Sequence, residues 1–300
     1  MSLFRPYNYK PTKGVDKNAP QKNGFFVFWE IYFRKFWRFL EINLIYFIIT
    51  LPILIYFFYI FEMYMAQMLG DDYSTVLIGI AFFASLVDSI PQWLFNVLLA
   101  VSVMLYGPLK MGVTYVYRNF AKEEHAWLSD IFERAWKNLG QGIFFGVLDF
   151  LVTVLLVNNI IGTFATDAVA GAFIMRLSKY MSVFVLILYM FMRHYFYILA
   201  VTVKLSIPQI IKNSWLFAII GFGRNILTSL ICIATWLATL FILPLITVIA
   251  LLIMTYAICG FASVYVCYPV VKKYVVLPAM EEEEKNRPSE RKAENGEENK

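Results

Sequence analysis

The sequence predicts an all-α, polytopic membrane protein with six transmembrane helices and additional amphipathic helices in the interface. Three observations carry this. Hydrophobic residues make up 60% of the 300-residue chain and charged residues only 16%, against roughly 45–50% and 25% in soluble domains; mean hydropathy is +0.64. Residues 39–109, 138–175 and 225–271 contain no Lys or Arg at all. The basic residues cluster between and beyond these stretches, so that one side of a membrane can hold nearly all of them. Such a chain has too little polar surface for a water-soluble globule, and the same figures exclude a disordered, fibrous or disulfide-stapled chain.

Residues 1–24 are polar, carry no cleavable leader pattern, and are expected to lie in the cytoplasm. Residues 25–39 place Phe25, Trp29, Tyr32, Phe36 and Phe39 at spacings of three and four, with Glu30, Arg34 and Arg38 on another face. This predicts an amphipathic helix in the headgroup layer. A first span is expected at 40–61, since about 20 apolar residues cross a hydrocarbon core of roughly 30 Å. Residues 74–90 are apolar enough to insert. Counted as a crossing, they would put the basic group Lys110–Lys137 on the outer side, so they are read as a non-spanning outer helix ended by Pro91.

The second span is expected at 92–115. Residues 127–139 repeat the amphipathic pattern, with Ser129 or Asp130 as start cap and Gly140 at the end. Further spans follow at 142–161 and 177–200, and a third surface helix at 207–217. The stretch 225–271 would extend roughly 70 Å as one helix. Pro244 near its middle lacks the N–H of a helix interior, so it is split into spans at 226–243 and 245–268. Six crossings within 25–278 put both termini in the cytoplasm. Residues 279–300 form a charged tail without aromatics, expected to be disordered.

Each surface helix precedes an outward span. Residues 33–40 align with 132–139 around Trp37 and Trp136, and 210–217 offer a fainter copy around Trp215. The chain therefore reads as three units of surface helix plus helical hairpin, although interfacial helices carry Trp and Lys at such places in any case.

The stretches Tyr106-Gly107-Pro108-Leu109-Lys110-Met111-Gly112, Tyr117-Arg118-Asn119 and Glu124-His125-Ala126-Trp127-Leu128-Ser129-Asp130 resemble the YesL family of membrane proteins from Gram-positive bacteria. Phe4-Arg5-Pro6, Asn43-Leu44 and Tyr268-Pro269-Val270 resemble it too, over most of residues 1–278. The likeness departs at 74–90 and in the charged tail. Gly107, Pro108, Gly112, Arg118, Asn119, His125 and Asp130 are the motif positions. The resemblance implies a plasma-membrane protein with an accessory or regulatory role in carbohydrate uptake or utilisation, through contact with a transporter or sensor protein. It brings no established active site.

No phosphate-binding glycine loop, dinucleotide fingerprint or hydrolase motif occurs, and no catalytic residue, metal site, cofactor or nucleic-acid partner is expected. Cys232, Cys259 and Cys267 read as small packing residues. Asp149 and Arg193 are the candidate buried charge pair, at similar depth on consecutive antiparallel helices with His194 beside them. A helix-locking ion pair is the favoured reading and an element of a proton or anion pathway the other; a third places Arg193 at the inner interface, as Arg118. The glycines Gly142 and Gly146, and Ala234 with Ala238, allow close helix approach, expected within the bundle. A small-solute transporter or channel remains the alternative function.

Overall fold

The computed structural model describes residues 23–69, 85–87, 89–166, 173–241 and 249–282. These are helical almost throughout, and among them no strand occurs. Helix α1 spans Gly24–Arg34, α2 Phe36–Leu69, α3 Gln92–Ala121, α4 Leu128–Lys137, α5 Leu139–Thr166, α6 Phe173–Thr202, α7 Ile207–Ile220 and α8 Phe222–Phe241. The last rod, α9, combines a π-helical turn at Leu251–Thr255, the α-helix Tyr256–Val271 and a second π turn at Lys272–Val276. Among the described residues, six segments are long and apolar enough to cross a membrane: Phe36–Tyr64, Gln92–Ala121, Leu139–Gly162, Leu177–Thr202, Phe222–Leu240 and Leu251–Glu282. The protein is thus an all-α, multi-pass membrane protein whose apolar helices require a lipid bilayer.

The three short helices lie where the sequence places them, with different limits. The expected helix at 25–39 is broken at Lys35, and Phe36–Phe39 already belong to the first span. Arg34 meets Glu123 at 3.2 Å. Lys35 Nζ donates to the Glu124 carbonyl at 3.2 Å and lies 4.0 Å from the Phe120 ring centroid. These contacts pull the chain toward the loop after α3. Burial lowers the Lys35 pKa, and Arg34 adds to that while Glu123 opposes it.

The expected faces also shift. In α1 the side chains turned inward are Phe28, Ile31 and Tyr32, whereas Phe25 stays exposed. Phe28 stacks on Phe261 (centroids 5.0 Å) and Tyr32 on Phe39 (4.6 Å), which in turn stacks on Tyr117 (5.5 Å). This aromatic pile ties the first surface helix to α2, α3 and α9. Burial pushes the Tyr32 hydroxyl up to about 12.

Helix α4 closes on Asn138, two residues before Gly140, which is already inside α5. Its start is not capped from Ser129. Instead Asp130, in the third position, accepts the Trp127 N–H at 2.8 Å, the return half of a capping box. Helix α7 runs on to Ile220, and the Gln209 side chain accepts the Ser206 N–H at 2.9 Å. The final helix continues through Glu282 rather than yielding to a tail at 279.

Each surface helix joins its span through a single residue: Lys35, Asn138 or Gly221. Their backbones nearly coincide, at φ −109°, ψ 21°; φ −113°, ψ 25°; and φ −88°, ψ 16°. In each case the joint's N–H closes the preceding helix on the residue four back, at 3.1, 3.2 and 2.8 Å, and its carbonyl opens the next helix. The shared unit is therefore the joint. The Trp motif is out of register with it, because Trp37 follows its joint by two residues and Trp136 precedes its own by two.

The remaining core packs Phe47, Leu54, Phe58, Phe95 and Leu251 at the other end, with Val87 against them. Beyond residues 85–87 and 89–90, the outer helix expected at 74–90 lies outside the described residues, as do 1–22 and the tail from 283.

Candidate functional site

The site begins with glycine. A Cβ on Gly107 would fall 1.8 Å from the Gly142 carbonyl oxygen, and one on Gly142 would meet Pro108 at 2.7 Å. Gly146 presses on the Gly107 backbone in the same way. The Gly142/Gly146 pair therefore packs inside the bundle, bringing α3 and α5 to backbone contact. Ala234 and Ala238 do not act alike: both are exposed on α8.

That contact sets Tyr106 and Lys110 of α3 beside Asp149 of α5. Lys110 lies about 16 Å from the end of α3, Asp149 about 15 Å from the start of α5 and Arg193 about 14 Å from the end of α6, at 1.5 Å per residue. All three stand about two and a half to three turns in from the same end of the bundle.

Asp149 is 2% exposed and its carboxylate is fully engaged. Arg193 Nε lies 2.8 Å from it, and the Tyr106 and Tyr189 hydroxyls each donate to it at 2.9 Å. Lys110 Nζ sits 3.5 Å away. The Tyr106 oxygen also accepts from Lys110 Nζ at 3.0 Å and from an Arg193 terminal nitrogen. Lys110 stands 4.2 Å over the Tyr197 ring centroid, a cation–π contact. The direct pair replaces the reading of Arg193 as an interface residue. Lys110, which lies inside the span expected at 92–115 and is counted there with the inner-side basic group, is a member of the cluster.

His194 does not join this network directly. Its Nδ1 lies 3.0 Å from Ser263 Oγ and its Nε2 3.5 Å from Ser229 Oγ, which links α6 to α8 and α9. Next to it, Cys232 and Cys259 donate to one another's carbonyls at 3.8 and 4.0 Å. Among the described residues no group of three or more His, Cys, Asp or Glu side chains gathers to hold a metal.

The motif residues of the family resemblance are scaffold. Gly107 and Pro108 make the α3–α5 contact, and Gly112 brings α3 against the Ile131 backbone of α4. Arg118 donates to the Val201 carbonyl at 2.7 Å and to Thr202 Oγ1 at 3.2 Å, so a cation caps the C-terminus of α6. The Asn119 carbonyl accepts the Lys122 and Glu124 N–H groups as α3 ends through left-handed Glu123, at φ 61°. His125 is exposed in the following loop.

One further buried residue belongs to the Asn43-Leu44 pair, to which the resemblance gives no role. Asn43 of α2, fully buried, donates its amide to the Leu251 and Leu252 carbonyls, both at 2.7 Å, and accepts the Ala257 N–H at 2.9 Å. Backbone groups left by the π turn of α9 are satisfied by this one side chain.

Comparison with protein-family models, with curated proteins and with solved structures gives no match to this chain.

Proposed function

We propose that this chain is a non-enzymatic accessory or regulatory membrane protein, of YesL-family kind, that acts by contact with a transporter or sensor of carbohydrate uptake. The observation that supports it is the platform formed by α1, α4 and α7. These helices are anchored inward by Ile31, Ile131 and Ile210 and expose Phe25, Phe33, Trp136 and Trp215, with Trp37 at the start of α2 and Trp127 just before α4 exposed beside them. Aromatic-rich, partly basic faces of this kind suit the headgroup layer and the flank of a neighbouring membrane protein. In this reading the platform faces the cytoplasm and the membrane is the plasma membrane, following the distribution of Lys and Arg. The link to carbohydrate rests on the family resemblance alone.

The test is photo-crosslinking in native membranes from a reactive residue at Trp136 or Trp37. The reading expects a discrete adduct with a sugar transporter or sensor subunit. Adducts with lipid only would overturn it. A second reading, a small-solute transporter or channel, is favoured by the cluster of Lys110, Asp149 and Arg193 within the spans. Reconstituted vesicles showing solute flux that fails in a folded Asp149→Asn/Arg193→Gln variant would select it.

A further inference from the structure

A groove opens between the α7–α8 joint and α9. It measures about 370 Å³ and is lined by Gly221, Gly223 and Arg224 on one side and by Pro269, Lys273 and Tyr274 on the other. That volume lies in the range of small-ligand sites, roughly 300–1,000 Å³. The space is open at the backbone itself: Gly223 is exposed, and a Cβ there would meet nothing within 4 Å beyond its own helix.

The sequence fixes where the groove lies. Helix α8 becomes a span at Phe222, and Lys272 and Lys273 are the first charged residues after 225–271, which contain none. The groove therefore sits where apolar chain gives way to polar chain, the level of the headgroups. Its charge has one sign. Arg224 and Lys273 line it from two different helices, both are exposed, and among the described residues neither has a carboxylate within ion-pair distance. Arg224 commits one terminal nitrogen to the Val266 carbonyl at 3.0 Å, which holds the guanidinium against α9. Lys273 Nζ stands 5.2 Å from the Tyr274 ring centroid, and Tyr274 in turn packs on Phe217 of α7, centroids 6.4 Å apart.

The groove also continues into apolar surface. Ile220 lines its rim and is exposed, and Phe222, Ile226, Leu230 and Leu237 are exposed along α8 at spacings of four and seven. One stripe of α8 thus runs from the cations down the lipid-facing side of the span. Free phosphate would use only the cations. A ligand that uses cations and stripe together has an anionic phosphate head and acyl chains, and basic recesses between helix ends suit such heads.

We propose that the groove between Arg224 and Lys273 binds the phosphate of an anionic phospholipid, whose acyl chains lie along the Phe222–Leu237 stripe of α8. The site stands independently of both functional readings. A lipid held there joins the α7–α8 joint to α9 and so steadies the third surface helix.

The experiment titrates the purified full-length protein in detergent with short-chain phosphatidylglycerol, and in parallel with phosphatidylcholine of the same chains and with glycerol 1-phosphate. Native mass spectrometry and thermal unfolding read the binding. One phosphatidylglycerol per chain should be retained in preference to phosphatidylcholine, with a saturable rise in Tm that glycerol 1-phosphate does not reproduce. Lys273→Gln should weaken the binding about fivefold, and Lys273→Gln with Arg224→Gln about twentyfold or more. Lys212→Gln, about 12 Å back along α7, should leave it within about twofold. Phosphatidylcholine bound as tightly, an affinity unaltered in Lys273→Gln, or an equal loss in Lys212→Gln would overturn the site. A response to glycerol 1-phosphate equal to that to phosphatidylglycerol would overturn the lipid as its ligand. Because Arg224→Gln also gives up the tie to Val266, Lys273→Gln alone decides should the double variant fail to fold.

Discussion

Arg193 reaches Asp149 across 44 residues of sequence, Nε to carboxylate at 2.8 Å, and so fastens α6 to α5. Asp149 is the shared counter-charge of Arg193 and of Lys110, 3.5 Å away. Arg193→Gln, which leaves Lys110 beside the carboxylate, should cost the smaller amount, whereas Asp149→Asn, which strips both cations, should destabilise the folded protein in detergent by about 3–5 kcal/mol. The double variant should recover much of that loss. Additive effects in the thermal-unfolding cycle would show that the two charges are not coupled.

Asn43→Leu keeps the approximate size of the side chain and removes three hydrogen bonds to α9. Two carbonyls and one N–H lose their partner at a fully buried position, so the expected cost is on the order of 3 kcal/mol. Asn43→Asp should cost at least as much, since a carboxylate cannot donate to Leu251 and Leu252. Unfolding midpoints of the two variants equal to wild type would refute the clamp.

The glycines separate into two kinds. Gly107→Ala and Gly112→Ala drive a methyl into backbone atoms at 1.8 and 2.1 Å, which cannot step aside like a side chain. Loss of about 3 kcal/mol or more is expected, or failure to assemble. Gly140→Ala and Gly223→Ala meet nothing within 4 Å and should be neutral or stabilising by up to about 1 kcal/mol. Expression level and Tm of the four variants measure this division.

Topology is tested with single cysteines in a background lacking Cys232, Cys259 and Cys267. Cysteines at Lys122 and Lys212 should resist an impermeant thiol reagent until the membrane is opened, whereas those at Asp72 and Asp167 should react from outside. The reverse pattern would invert the orientation drawn from the basic residues.

Much of this was legible in the residues. The spans follow from length and hydropathy, and the Asp149–Arg193 contact follows from equal depth on adjacent antiparallel helices. Its tyrosines were legible too, though only in hindsight. Tyr189, Arg193 and Tyr197 recur every four residues, as do Tyr106 and Lys110, so each set shares one helix face. Lys110 lies within the expected span at 92–115, yet a lysine near the end of an apolar stretch is counted with the inner-side basic residues, so its place beside Asp149 is not legible. Here Gly107 and Pro108 instead let α3 pass deep into the bundle and continue to Ala121. Asn43 stands out as a polar residue in the first span and in the Asn43-Leu44 pair, but its partner is not legible, because a π turn leaves no periodicity in the sequence. The break at Lys35 was hidden for a different reason: tertiary contacts to Glu123, Glu124 and Phe120 override a helical pattern that runs on unbroken.

The single-residue joints at Lys35, Asn138 and Gly221 leave no slack between a surface helix and its span. A loop of several residues would absorb a change in span tilt. A joint whose N–H and carbonyl are both committed to helical hydrogen bonds passes the rotation on. A span longer than the hydrocarbon is thick accommodates in part by tilting, and such a tilt should carry α1, α4 and α7 along with the helices they pack on. That movement should be readable as a change in spin-label distance between Trp136 and Trp215 positions across lipids of different chain length.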